Sequence, residues 1–220
     1  MMTEVLYIDI HTHHAGRDGD VFRVLANTEP QAVDTPFSAG IHPQDVNRLN
    51  FNDFLPVWED PLCLAVGECG LDRRHLAETG IDKQTDVFRK QALEAEKRNL
   101  PLIVHAVRMV PELLRLKKEL APTAPWILHG FRGNERKCME MIDSGFYLSF
   151  GEGLLRDAGN MESFFARIPR GRIFFETDAA ETDIRRIYAL AASMMSMSVK
   201  ELSETVKDGF RKVFRYDPEQ

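Results

Sequence analysis

Six side chains of metal-binding type follow five short apolar runs of the sequence. They are His11, His13, Glu68, His105, His129 and Asp178. Apolar runs of this length are typical of buried strands. The carboxyl ends of parallel barrel strands meet at one rim, which is where active sites lie in such folds. The shared placement therefore predicts a metal-dependent active site.

The first run carries polar residues at every second position, namely Asp9, His11 and His13. A strand has a period of two, so these three side chains point to the same face. Two imidazoles at this spacing can hold one metal ion from the end of a strand. The spacing alone is equally compatible with a pair of core or surface histidines.

Three further candidates follow central apolar runs. Glu68 comes after Ala65-Val-Gly, where a buried carboxylate is costly unless it is paired or bound to metal. A structural salt bridge is the alternative. His105 and His129 end consecutive predicted strands, and their joint occurrence favours ligands over two hydrogen-bonded core histidines. Glu176 lies two residues before Asp178, so both side chains point to the same face of the strand. Glu176 is therefore expected to face the barrel interior as a supporting partner of the ligand Asp178.

Apolar runs alternate with helical patterns along the chain, which predicts repeated βα units and a parallel sheet. The 220 residues suit one domain. We therefore expect an α/β fold, a single TIM-like (β/α) barrel domain over 1–220. The predicted strands are 4–11, 21–27, 37–42, 62–68, 101–106, 125–130, 146–150 and 172–178.

Helix signals separate most of these strands. Helices are predicted over 84–98, from Pro111 to Leu120, and after the capping residues Asn134, Asn160 and Ser198. The segment 14–36 differs, because the glycine-rich stretch after the first strand is too short for a helical crossover. An antiparallel excursion is expected there, with a barrel that is distorted or eroded around its first two strands.

Composition narrows the class of protein. Three cysteines without CxxC spacing favour a reducing cytoplasm over a disulfide framework. The sequence lacks a leader pattern and any apolar run of about 18 residues, so no membrane partner is expected. The net charge of -6 gives no global attraction for nucleic acid. No obligate protein partner is evident.

Several motifs resemble those of a known family. They are Ile8-Asp-Ile-His-Thr-His13, Ala39-Gly-Ile-His-Pro43, Gly67-Glu-Cys-Gly-Leu-Asp72, the stretch from Gln91 to His105, His129-Gly-Phe-Arg-Gly133, Gly145–Gly151 and Glu176-Thr-Asp178. In this order, and over nearly the whole chain after residue 37, they are similar to the TatD-like metal-dependent deoxyribonucleases of the amidohydrolase superfamily.

The resemblance implies two divalent metal ions, of zinc, manganese, nickel or magnesium. One ion would be held by His11, His13, Asp178 and Glu68, and the other by His105, His129 and the bridging Glu68. The expected catalytic residues are Asp178 and Glu68. Asp178 would take a proton from the attacking water, and paired ions would activate that water against a phosphodiester. DNA ends or short oligonucleotides are the expected substrates.

Other residues are candidates for contact with the substrate, namely His42, Arg73, His75 and Arg132. A solvated loop is the alternative for the arginines. Departures from the family pattern, such as Ala106-Val107 after His105, leave a second function open. That function is hydrolysis of a small ester, lactone, amide or phosphoester. A metal-binding barrel without catalysis is the third alternative.

Overall fold

A computed structural model describes residues 5–16 and 18–219 of the chain. The predicted start of the first strand at residue 4 lies outside the described residues. The strands are β1 (Tyr7–Thr12), β2 (Val21–Asn27), β3 (Phe37–Ala39), β4 (Cys63–Asp72), β5 (Leu102–Val107), β6 (Trp126–Leu128), β7 (Phe146–Phe150) and β8 (Ile173–Phe175). All eight were predicted, with differences of a few residues at their ends.

Helices follow most of the strands. They are α1 (Leu76–Thr79), α2 (Ile81–Arg98), α3 (Val110–Leu120), α4 (Glu135–Asp143), α5 (Glu152–Arg156), α6 (Ala158–Phe165), α7 (Ile184–Met194) and α8 (Val199–Phe214). Short 3-10 turns occupy Phe51–Phe54, Val57–Glu59, Arg73–His75 and Arg170–Arg172. In the described part of the chain, no helix is both long enough and apolar enough to cross a membrane.

The eight strands are neighbours in chain order, from β1 to β8. The recorded strand pairs are parallel, and β1 also meets the end of β8 through the parallel bridge between Thr12 and Asp178. This topology confirms the predicted α/β fold class and the predicted (β/α) barrel. The chain forms two compact units, one of Met1–Leu25 with Gly130–Gln220 and the other of Ala26–His129.

The expected antiparallel excursion after β1 is wrong, because β2 pairs with β1 in parallel, with Tyr7 opposite Val21. The eight residues 13–20 can span more than the six-residue strand β1 at ~3.3 Å per residue. The described residues of this loop, 13–16 and 18–20, form no crossover helix. The barrel was predicted to be distorted or eroded around its first two strands. This is confirmed, because the described residues between β1 and β3 form no helix.

Two of the three predicted capping residues define helix starts. The Asn134 side chain accepts from the Lys137 N–H at the start of α4, and Ser198 with Glu201 forms a complete capping box at α8. The predicted cap at Asn160 is wrong, because this residue lies inside α6. The chain already turns helically at Asp157, whose carbonyl accepts from the Asn160 N–H at 3.0 Å.

Each unit has an aromatic and aliphatic core. In the second unit Phe88 of α2 packs edge-on against Trp126 of β6 with ring centroids 5.2 Å apart. In the first unit Phe150 contacts Phe165, and Phe174 contacts Phe214. Cys63, Cys69 and Cys138 are buried free thiols. These cores fix the strands whose ends carry the polar side chains.

Candidate metal centre

The first unit brings together His11, His13 and Asp178. Their ligand atoms lie within 4.8 Å of one another. The Asp178 Oδ1 is 3.8 Å from Nε2 of His11 and 3.5 Å from Nε2 of His13. The His11 side chain is fully buried, whereas His13 and Asp178 are 32% and 44% exposed. The set is thus anchored inside the fold and open on one side.

Backbone pairing between β1 and the end of β8 positions these side chains. Asp178 donates its N–H to the carbonyl of His11, and its own carbonyl accepts from the N–H of His13, each at 2.9 Å. Asp178 also has a φ of 52°, in the left-handed region that costs a non-glycine residue about 1–2 kcal/mol. The two hydrogen bonds hold it there.

A buried carboxylate lies beneath this set. Asp9 is fully buried and accepts from the backbone N–H of Thr177 at 3.0 Å and from its hydroxyl at 2.6 Å. Burial raises the pKa of Asp9 to about 7, although the hydrogen bonds from Thr177 oppose that rise. Thr177 is also hydrogen-bonded to Thr12 at 2.7 Å, so these groups tie β1 to the end of β8.

The second unit brings together Glu68, His105 and His129. Glu68 Oε2 is 2.9 Å from His129 Nε2 and 3.2 Å from His105 Nδ1. The two ring nitrogens are 3.2 Å apart. Glu68 and His129 are buried, and the His105 side chain is 12% exposed. One carboxylate and two imidazoles therefore converge on a single point.

Two glycines of β4 let the neighbouring strand approach. A Cβ on Gly70 would lie 1.9 Å from the His105 carbonyl oxygen, and one on Gly67 would lie 2.5 Å from that of Ile103. Both glycines have positive φ, of 156° and 140°. Close contact between β4 and β5 is what brings Glu68 and His105 within reach of each other.

The donor sets suit divalent cations. The three atoms of the second set are separated by distances that let one cation reach each of them at ~2.0–2.2 Å, the usual length of zinc bonds to nitrogen and oxygen. Four imidazoles and two carboxylates favour zinc, manganese or nickel over magnesium, which prefers oxygen ligands.

Asp72 is a member of this region that the sequence argument did not single out. It is fully buried, and its Oδ2 lies 3.0 Å from Nε2 of His105. Burial raises its pKa, but hydrogen bonds from Arg74 and His105 outweigh that effect and hold the pKa well below its usual value. Its spacing of four from Glu68, which gives the same strand parity, was the available signal.

His42 lies beside His105, with ring centroids 4.4 Å apart. Its Nδ1 accepts from the backbone N–H of Gln44 at 3.2 Å. Burial lowers the pKa of His42 to about 4, so its ring is neutral near neutral pH. The side-chain amide of Gln91 holds the preceding residue by accepting from Ile41 N–H at 2.7 Å and donating to its carbonyl at 3.1 Å.

The remaining predicted substrate contacts have different surroundings. His75 Nε2 lies 3.9 Å from Asp72, and Arg73 is exposed at the end of β4. Arg132 is exposed in the first unit, where its side chain covers Gly153. Glu176, expected to support Asp178, is fully buried and accepts from the Gly130 N–H at 2.6 Å.

Comparison with protein families gives one match over most of the chain. The model for the TatD related DNase family matches residues 23–215. The metal-dependent hydrolase YabD of Bacillus subtilis is 27% identical over 194 residues, which cover 80% of this chain and 76% of YabD. A protein named 3'-5' ssDNA/RNA exonuclease TatD, from Edwardsiella piscicida, is 28% identical over 148 residues, or 64% of this chain and 56% of that protein.

Two solved structures share the fold. The TatD homologue YjjV from Escherichia coli K12 superposes with a TM-score of 0.81, at 18% identity, over 96% of this chain and 98% of that one. A TatD family hydrolase from Entamoeba histolytica has a TM-score of 0.77 at 16% identity, over 94% and 97% of the two chains. At these identities the likeness establishes the fold alone.

Proposed function

The chain belongs to the TatD related DNase family, and from this premise we propose that it cleaves phosphodiester bonds in DNA ends or short oligonucleotides. The observation that carries the proposal is the pair of compact ligand sets, His11/His13/Asp178 and Glu68/His105/His129. The relative from Edwardsiella piscicida, named as a single-stranded DNA and RNA exonuclease, supports a nucleic-acid substrate.

We propose one divalent ion for each ligand set. Such ions would lower the pKa of a bound water and offset the charge that develops on a phosphoryl group. An anionic substrate is compatible with the acidic protein because the cations would supply positive charge where the reaction occurs. The additional role of Glu68 as a bridge between both ions stays a prediction from the family resemblance.

The protein side chains have different proposed roles. Asp178 is the proton acceptor we propose, since its carboxylate is 44% exposed and water can reach it. His11 and His13 keep that carboxylate in place. Neutral His42, half-buried His75 and the exposed Arg73 and Arg132 are the proposed contacts with the substrate. The cytoplasmic location and the single-domain organisation over 1–220 also stay predictions.

Metal content and DNA cleavage test this proposal together. Protein loaded with Zn²⁺, Mn²⁺ or Mg²⁺ should retain two ions per chain by elemental analysis. It should shorten single-stranded oligonucleotides labelled at either end. Glu68→Gln should lose cleavage almost completely. Asp86→Asn, which changes an exposed carboxylate of α2 paired with Lys90, is the matched control and should retain it.

Full metal occupancy without cleavage of any oligonucleotide would contradict the proposal. Protein that holds two ions and leaves every oligonucleotide intact is not a nuclease of this kind. A panel of small esters, lactones, amides and phosphoesters, run with the same preparation, would then identify the alternative hydrolase. Inactivity on both substrate classes with full metal occupancy would point to a barrel without catalysis.

A further inference from the structure

We propose that Asp72 is the positioning residue for His105, holding the Nε2–H of its ring so that the Nδ1 lone pair faces Glu68 and His129. The expected effect on metal binding rests on the proposed function. The hydrogen bond between Asp72 and His105 does not require a metal ion.

The geometry around the His105 ring carries this assignment. Nε2 is 3.0 Å from Asp72 Oδ2, and Nδ1 is 3.2 Å from both Glu68 Oε2 and His129 Nε2. Both ring nitrogens face a carboxylate, which only accepts hydrogen bonds. Nε2 makes the shorter contact, at 3.0 Å to Asp72, whereas Nδ1 is 3.2 Å from Glu68 and also faces His129 Nε2, a nitrogen that can donate to it. We therefore place the ring proton on Nε2. In a neutral ring Nδ1 is then the nitrogen with the free electron pair. Histidine ligands are commonly oriented by a carboxylate in this way.

Asp72 is itself fixed from several sides. The backbone N–H of Arg74 donates to Oδ1 at 2.8 Å, and its Nε lies 3.0 Å from both carboxylate oxygens. Gln84 of α2 clamps the Asp72 backbone by accepting from its N–H at 2.8 Å and donating to its carbonyl at 3.0 Å. A fully buried carboxylate with this many partners has little freedom to turn away from His105.

The strand register places Asp72 and His105 together. Gly70 pairs with His105, and Asp72 pairs with Val107, across β4 and β5. Glu68, Gly70 and Asp72 have the same parity on β4, so the two carboxylates lie on one face with a glycine between them. The missing side chain at Gly70 lets the His105 backbone approach β4 at this position.

A different role for the same residues is a third cation held by His42, Asp72 and His105, whose ligand atoms lie within 4.8 Å of one another. The contacts favour the positioning role. Arg74 already supplies a positive charge to Asp72, and Nδ1 of His42 already accepts from the Gln44 N–H. A cation would have to displace or compete with both interactions.

Nitrogen NMR of metal-free protein tests the proposal directly. The resonances of His105 are identified by their loss in His105→Gln. We expect them to show a proton on Nε2 in the wild type and a mixture of tautomers in Asp72→Ala. In Asp72→Asn the amide oxygen can still accept, so the Nε2–H form should persist. A proton on Nδ1 in the wild type would overturn the proposal.

Metal titration gives the second readout. Asp72→Ala should bind the ion of the second set about 10–100-fold more weakly, with the first set unchanged, and Asp72→Asn should fall between it and the wild type. Glu78→Gln, an exposed carboxylate on the adjacent α1, is the matched control. Unchanged affinity in Asp72→Ala contradicts the proposal. So does a third ion per chain that this variant loses.

Buried Asp72 could be needed for folding, so Gln84→Ala provides a separate comparison. This change loosens the Asp72 backbone without removing its carboxylate. If the role were only structural, Asp72→Ala would lower stability, as Gln84→Ala does, without changing the His105 tautomer or the affinity ratio of the two sets. Failure of DNA cleavage with the expected tautomer would reject the proposed function and leave this inference standing.

Discussion

Asp178 and His11 are joined through the backbone, by a hydrogen bond of 2.9 Å from the Asp178 N–H to the His11 carbonyl. The bond connects the segment after β8 to β1, between residues far apart in the sequence. The bond uses neither side chain, so this backbone pairing does not compete with ligation by either residue. The candidate centre of the first unit is therefore built on a backbone connection between its ligand residues.

Replacing Asp178 by Asn should abolish most activity while preserving the fold. The amide keeps the size and the backbone hydrogen bonds but cannot accept a proton from water. We expect oligonucleotide cleavage to fall by at least about 100-fold, with Tm nearly unchanged. Glu181→Gln, an exposed change in the same loop, should retain activity. Asp178→Asn with near-normal cleavage would show that another group accepts the proton.

Asp9 should make stability depend on pH in a specific direction. Burial raises its pKa from 3.8 to about 7, so the folded state holds the proton more tightly than the unfolded state. Its contribution to stability is complete below about pH 4 and is lost as the pH rises to about 7. In metal-free protein, the Tm of Asp9→Asn relative to the wild type should therefore increase across this range. A constant difference would contradict the shift.

Gly70→Ala should be strongly destabilising, because its Cβ would meet the His105 carbonyl oxygen at 1.9 Å and the residue has positive φ. Overpacking and backbone strain together should lower the free energy of unfolding by more than about 2 kcal/mol. Denaturant unfolding measures this. Gly159→Ala on α6, where the added Cβ meets nothing within 4 Å, should leave stability unchanged or slightly raised. Equal effects of the two changes would refute the close contact of the strands.

Gln91→Ala should loosen the segment that carries His42. The substitution removes both hydrogen bonds to the buried backbone of Ile41, at an expected cost of about 1–3 kcal/mol in the free energy of unfolding. Lys90→Ala, on the exposed face of the same helix, should change it by less than about 0.5 kcal/mol. A cost for Gln91→Ala as small as that of the control would mean that water replaces the amide.

Much of the fold was predictable from local pattern. All eight strands were placed, because short apolar runs and helix signals depend on neighbouring residues. The capping residues Asn134 and Ser198 were recognised for the same reason. Asn160 was misassigned because the turn that starts α6 is set at Asp157, by a preceding helix that the sequence pattern did not reveal.

The direction of β2 could not be read locally. A strand has the same apolar pattern whether its neighbour runs parallel or antiparallel, and the choice depends on whether the loop can span the strand. Residues 13–20 are long enough for the short β1, so the parallel arrangement forms without a helix. The direction in which β2 pairs with β1 therefore depends on whether the connecting loop is long enough to span β1.

The sequence by itself determined which residue types stand at the strand ends, and hence that His11, His13, Glu68, His105, His129 and Asp178 are candidate ligands. Tertiary structure decided which atoms of each set meet, and that Asp72 holds His105 from its far side. The physical reason is the separation along the sequence of the residues that interact. Side-chain parity and helix caps follow from a few adjacent residues, whereas the contact between Asp72 and His105 depends on strand register and on the close approach at Gly70.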